Sequence, residues 1–118
     1  MIRRESSDEQ MIDELKTSRE RLLSDASLQS LLTALRRGLQ STTRNVYIFR
    51  WIPEQAEDLY GVLADGATVV HIEIPRHAQD REAVFESWPV EEYLKGRKTL
   101  TKQERHKLEL ALRLARPR

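Results

Sequence analysis

Asp58, Tyr60, His71 and Glu73 are the residues of this chain whose types could do chemistry together. They flank Asp65-Gly66, and an Asp-Gly pair between runs of β-forming residues is a strong hairpin signal. A two-residue turn there sets Leu63 opposite Thr68, Gly61 opposite Val70 and Leu59 opposite Ile72, sharing a buried side with Ile74. Val62 and Val69, Tyr60 and His71, and Asp58 and Glu73 then share the other side. Two carboxylates, a phenol and an imidazole so placed could do acid–base work, because neighbouring carboxylates push one pKa upward. They could equally be part of a contact surface, or of an ordinary solvated sheet face. Asp58 directly opposite Glu73 is mildly repulsive, and a lysine or arginine from a partner would relieve that.

His71, His77 and Asp80 are the other set that could ligate a metal, but their spacing departs from His-Glu-x-x-His and similar zinc patterns. His106 stands apart among lysines and arginines. The absence of cysteine excludes disulfides, thiolate catalysis and Cys-ligated zinc. There is no Gly-rich phosphate loop and no Gly-x-Ser-x-Gly elbow. The chain is therefore expected not to be an enzyme and to need neither metal nor cofactor.

The elements that must position these residues follow from periodicity. The 118 residues suit one domain. Ser7-Asp8-Glu9-Gln10 reads as a capping box, followed by Met11, Ile12, Leu15, Leu22 and Leu23, a helical stripe interrupted at Ser18 and Arg19. Leu28, Leu31, Leu32, Leu35 and Leu39 line one face of a second helix, capped by Asp25 or Ser27. Whether Ser24 to Ser27 breaks the helix or continues it stays open. Val46 to Ile52 is rich in β-branched and aromatic residues and stops at Pro53, which predicts a strand. Asp58–Ala64 and Thr68–Ile74 form the hairpin, and Val84–Trp88 reads as a short fourth strand. Pro89 starts a helix that Gly96 ends. Thr101-Lys102-Gln103-Glu104 is a further capping box, with Leu108, Ala111, Leu112 and Ala115 as the inward stripe of the last helix. Leu110 and Leu114 fall off that stripe and imply a second contact. The expected fold is α+β in a single domain, 1–118. Residues 1–43 are helical and pack on one face of a three- to four-stranded antiparallel meander, with the C-terminal helix completing the core. The main strands of the meander span 44–75, and a short strand and helices fill 76–118.

Net charge is only +1, yet it is unevenly spread. Residues 44–96 carry a balance of −5 and residues 97–118 a balance of +6. An acidic centre suits a basic partner, whereas Arg105, Arg113 and Arg116 on the last helix would suit nucleic acid. Opposed charge of this kind also holds a fold together. Trp51 with Tyr47 and Phe49, and Trp88 with Tyr93, are aromatic groups that either build the core or, uncovered, anchor an interface. No run approaches the ~20 apolar residues of a membrane helix. The acidic turn at Glu5 and Asp8 gives no secretion signal, so no membrane association and cytoplasmic residence are expected.

Tyr47 to Pro53, Val69 to Pro75 and Val90 to Gly96, followed by the capped Leu-rich helix, resemble small bacterial immunity proteins of contact-dependent growth inhibition systems. The resemblance spans residues 45–115 and carries over no residue roles. It implies tight binding to a cognate toxin domain in the cytoplasm and blockage of its activity. Those toxins are often basic, which the acidic centre would match, although the basic segment 97–118 departs from a uniformly acidic inhibitor. Glu54, Glu57, Asp58, Tyr60, His71 and Glu73 are the expected partner-binding residues. The alternative is a small nucleic-acid-binding regulator working through Arg105, Arg113 and Arg116.

Overall fold

The computed structural model describes residues 4–76, 83–96 and 100–116, with side chains from residue 8 onward. Helix α1 (Arg4–Ser24) is followed by a single 3-10 turn (Ala26–Leu28) and helix α2 (Gln29–Leu39). Four strands come next: β1 (Val46–Pro53), β2 (Glu57–Ala64), β3 (Thr68–Pro75) and β4 (Val84–Pro89). Helices α3 (Val90–Gly96) and α4 (Lys102–Ala115) complete the chain. The sheet is an antiparallel meander in the order β1-β2-β3-β4, so the expected α+β architecture is the one found.

The helix boundaries have local causes. Asp25 breaks α1 from α2: its carboxylate accepts from the Ser27 amide at 2.9 Å and the Ser27 hydroxyl at 2.8 Å, and pairs with Arg21 at 3.1 Å. The Ser27 amide holds the Asp25 carboxyl below its ordinary pKa, with help from the Ser27 hydroxyl and Arg21. Ser7 lies inside α1 rather than at its start, so the first capping box does not open the helix. The second one does. Thr101 Oγ1 accepts from the Glu104 amide and Glu104 Oε1 from the Thr101 amide, both at 3.0 Å.

Both faces of the sheet are covered near the β2–β3 turn, one by α2 and the other by α3 and α4. On the α2 face, Val46, Val62, Ala64, Val70 and Ile72 pack with Leu31, Leu32 and Leu35. On the α3–α4 face, Tyr47, Phe49, Leu63 and Val69 pack with Val90, Tyr93, Leu108, Ala111 and Ala115. Leu110, off the main stripe, is buried in this second core, so its partner lies within the chain. Helix α1 serves both cores, with Leu15 in the second and Leu22 in the first.

That is possible because α1 lies along the outer edge of β1. The Ile48 amide, which points away from β2, donates to Ser18 Oγ at 3.0 Å, and Arg19 Nε donates to the Arg44 carbonyl at 2.9 Å. The two polar residues that interrupt the apolar stripe of α1 thus satisfy an edge that would otherwise be open. Ser18→Ala is expected to cost about 1–2 kcal/mol, the usual penalty for orphaning a half-buried amide. Chemical denaturation reads the loss, and faster hydrogen exchange at Ile48 locates it.

The register of the hairpin differs from expectation by one residue. Ala64 pairs with Thr68, Tyr60 with Ile72 and Asp58 with Ile74, so the turn has three residues instead of two. Asp65 and Gly66 take positive φ angles of 58° and 64°, the pair a type I′ turn requires. The Ala67 amide donates to the Ala64 carbonyl at 3.0 Å, but its carbonyl is taken by the Val90 amide at 2.9 Å. Ala67 is thereby drawn toward the start of α3 and leaves the β2–β3 ladder. A second irregularity, a bulge at Phe49, shifts the β1–β2 register between Ile48 and Arg50.

Candidate functional site

A one-residue slip sends every side chain to the other face. The four residues expected to stand together are accordingly divided by the sheet. Asp58 and Tyr60 lie on the α2 face in register with Ile74 and Ile72. His71 and Glu73 lie on the α3–α4 face in register with Gly61 and Leu59. Asp58 therefore does not face Glu73, and an acid–base set of Asp58, His71 and Glu73 does not form. His77 and Asp80 lie outside the described residues. Among the described residues, no group of three or more His, Asp or Glu side chains could hold a metal ion.

On the α2 face, Asp58 is already neutralised. Arg76 grips it through Nη2 at 2.7 Å and Nε at 3.1 Å, and the Trp51 indole N–H donates to it at 3.1 Å. The Arg76 guanidinium holds the Asp58 carboxyl below its ordinary value, aided by Trp51 and opposed by partial burial. Burial pushes the Tyr60 phenol up, and the Asp58 charge adds to this. Trp51, 58% exposed, is the largest uncovered aromatic surface, whereas Tyr47, Phe49 and Tyr93 are buried. Because the Asp58 pKa is lowered on folding, its contribution is complete above the ordinary value of about 3.9. It is lost only as pH falls through the lower folded value. The Trp51 indole N–H resonance is therefore expected to keep its position through mildly acidic pH and to move only below the usual aspartate range.

Beside Trp51, a cleft of about 630 Å³ separates β1 from the polar side of α1, with Asp13, Thr17, Arg21 and Tyr60 in its walls. Lys107 meets Glu14 at 2.7 Å and Arg21 meets Asp25 at 3.1 Å, whereas Asp13 makes no ion pair among the described residues. Arg50 Nε lies 3.3 Å from Glu104 Oε2, so one glutamate both completes the cap of α4 and holds a strand residue.

The α3–α4 face is different. Among the described residues nothing covers this face of the sheet beyond the helices, and its side chains form two rows across all four strands. The inner row is Arg50, Gly61, His71 and Glu86. The outer row is Ile52, Leu59, Glu73 and Val84, and Glu57 follows on β2. His71 Nε2 lies 2.7 Å from the hydroxyl of buried Tyr93, and its ring meets Trp88 edge-on at 4.9 Å. A hollow of about 100 Å³ opens between Leu59, His71, Glu73, Val84 and Glu86. Val84 is 46% exposed. Among the described residues, Glu73 and Glu86 make no ion pair, and neither does Glu54 in the adjoining β1–β2 turn. Three carboxylates unpaired among the described residues, beside exposed Val84 and half-buried Ile52 and Leu59, make a surface suited to a cationic macromolecule. Sequence reasoning did not single out Glu86, because the extent of helical cover on this face is a tertiary property.

No family model, curated protein or solved structure matches this chain. The surface itself carries the functional argument.

The basic segment is less available than its composition implies. Arg105 Nη1 donates to the Leu94 carbonyl at 3.0 Å, and Arg105 Nε lies 3.8 Å from Glu109. Arg116 Nε donates to the Gly66 carbonyl at 2.7 Å and Nη2 to Glu91 at 3.3 Å. The Glu91 carboxyl sits below its ordinary pKa, through its own backbone amide first and Arg116 second. Arg113 is exposed and makes no ion pair among the described residues.

Proposed function

We propose that this chain is a protein-binding inhibitor, an immunity protein that docks the open end of its sheet on a basic toxin domain and occludes it. The carrying observation is the part of the α3–α4 face that no described residue covers, where Glu73 and Glu86 stand around Ile52, Leu59 and Val84. Glu54, Glu57 and His71 lie at its margins, while Asp58 and Tyr60, on the opposite face, drop out of the contact. Mechanistically, the carboxylates pair with cationic groups that the toxin uses for its own substrate, and the apolar row supplies the desolvated centre. This agrees with the resemblance of residues 45–115 to contact-dependent growth inhibition immunity proteins, which act in the cytoplasm.

The test is co-expression with the protein encoded immediately upstream. A one-to-one complex that survives size exclusion, together with relief of growth arrest caused by the upstream protein alone, is the expected result. Recovery of nucleic acid with no protein would count decisively against the proposal. A nucleic-acid-binding role draws its remaining support from exposed Arg113, since Arg105 and Arg116 serve internal contacts. Salt-dependent retention on heparin, lost on Arg113→Ala, would favour that role instead.

A further inference from the structure

The two edges of the sheet are finished differently. On β1, the outward Arg44 carbonyl and Ile48 amide are satisfied by Arg19 and Ser18 of α1. β4 is the opposite edge. Its hydrogen-bonding pattern is fixed by the Val90 amide, which donates to Ala67 at 2.9 Å and extends the register in which Thr68 faces Pro89. Antiparallel ladders alternate, so the amides of Val84 and Glu86 point to β3 while those of Phe85 and Ser87 point away from it. Pro89, with no amide hydrogen, occupies the next outward position, where a missing donor costs nothing. Among the described residues, the Phe85 and Ser87 amides have no acceptor.

We propose that the outer edge of β4 receives an extended, antiparallel strand of a partner protein, with a basic residue opposite Glu86 and an apolar residue opposite Val84. This rests on the reading of the chain as a protein-binding module and specifies how the partner is held. Such a strand prolongs both rows of the α3–α4 face across a fifth position. Phe85 and Ser87 would form the hydrogen-bonded pairs. Val84 and Glu86 would fall in the non-hydrogen-bonded pairs, where cross-strand side chains approach most closely. The two specificity positions on the incoming strand are therefore two residues apart, one apolar and one cationic. A second copy of this chain fits poorly. A two-fold pairing that bonds both Phe85 and Ser87 sets Glu86 of one copy directly against Glu86 of the other, a like-charge pair.

The test uses the full chain, labelled for NMR, and two capped synthetic peptides of alternating threonine. One carries valine and lysine at positions two apart, and the other has glutamate in place of lysine. With the lysine peptide, exchange at the Phe85 and Ser87 amides is expected to slow at least about tenfold, with shifts confined to β4 and its neighbours on β3. Glu86→Lys should weaken that peptide about tenfold and admit the glutamate peptide. Ser87→Pro removes an outward donor without touching the β3 ladder and should abolish binding. Unchanged β3 amide protection verifies the fold, and the Glu86→Lys exchange of preference carries the test independently of the proline. Equal binding of both peptides, shifts centred on Trp51, or self-association would each overturn the proposal. If Ser87→Pro still captures the upstream protein while reversal of Glu73 and Glu86 does not, edge addition is wrong and the inhibitor reading stands.

Discussion

Replacing Glu73 and Glu86 together by lysine should weaken binding to the proposed partner, the protein captured by co-expression, by about 100-fold or more. Close charge pairs across interfaces are worth roughly 1.5–7 kcal/mol, and every 1.4 kcal/mol is tenfold in affinity. Here each reversal both removes an attraction and adds a repulsion. Neither glutamate has an ion-pair partner among the described residues, so the fold has little to lose. Titration calorimetry of the double variant, with a thermal melt alongside, checks both halves of this statement. An affinity unchanged within a factor of three would mean that the captured protein does not meet this face. The corresponding reversal of Asp58 is expected to do less to binding and more to stability, because it breaks the contacts to Arg76 and Trp51.

Gly61→Ala is the substitution expected to harm the fold most for the smallest chemical change. A Cβ at Gly61 would lie 2.9 Å from Phe49 Cζ and 3.0 Å from Arg50 Cβ, where the bulge of β1 folds two side chains over one residue of β2. Phe49 is buried and packed edge-on against Tyr93, and Arg50 Cβ is fixed to the backbone, so neither can turn aside. Overpacking of this kind costs about 2–3 kcal/mol, to be read as a lower urea midpoint at unchanged slope. Gly38→Ala brings a Cβ even closer, 2.3 Å from the Phe85 ring, but that half-buried ring on the edge strand can swing outward. A helix-propensity gain of up to about 1 kcal/mol further offsets it. Among the described residues nothing lies within 4 Å of a Cβ added at Gly96, which makes Gly96→Ala the natural control.

Local signals in the sequence led reliably to local structure. The leucine stripe from Leu28 to Leu39, the Thr101–Glu104 cap, the stop at Pro53 and the place of the hairpin turn at Asp65-Gly66, though not its length, are each decided within a few residues, and each is found. What the sequence did not disclose was decided between distant segments. The hairpin register turns on the Ala67 carbonyl, which bonds Val90 instead of its own hairpin. The bulge at Phe49 depends on Gly61 across the strand pair. Those two features govern which side chains share a face, so the candidate site was misassembled although its strands were correctly placed. Ser18 and Arg19 were visible as an interruption of α1. Two polar residues at the centre of an apolar stripe, beside a chain rich in strands, are the signal of a helix laid on a sheet edge. Trp51 was indistinguishable from Tyr47 and Phe49 by type, and only the bulge, which resets the alternation after Phe49, explains why it alone faces outward.

Leu15 and Leu22 belong to one helix and to two cores on opposite sides of the sheet. Heat therefore has no route by which one side can melt while the other persists, since loosening α1 uncouples both at once. The molecule should lose its order in one concerted step, which suits the proposed inhibitor role, where a single rigid shape must be held until the target is met.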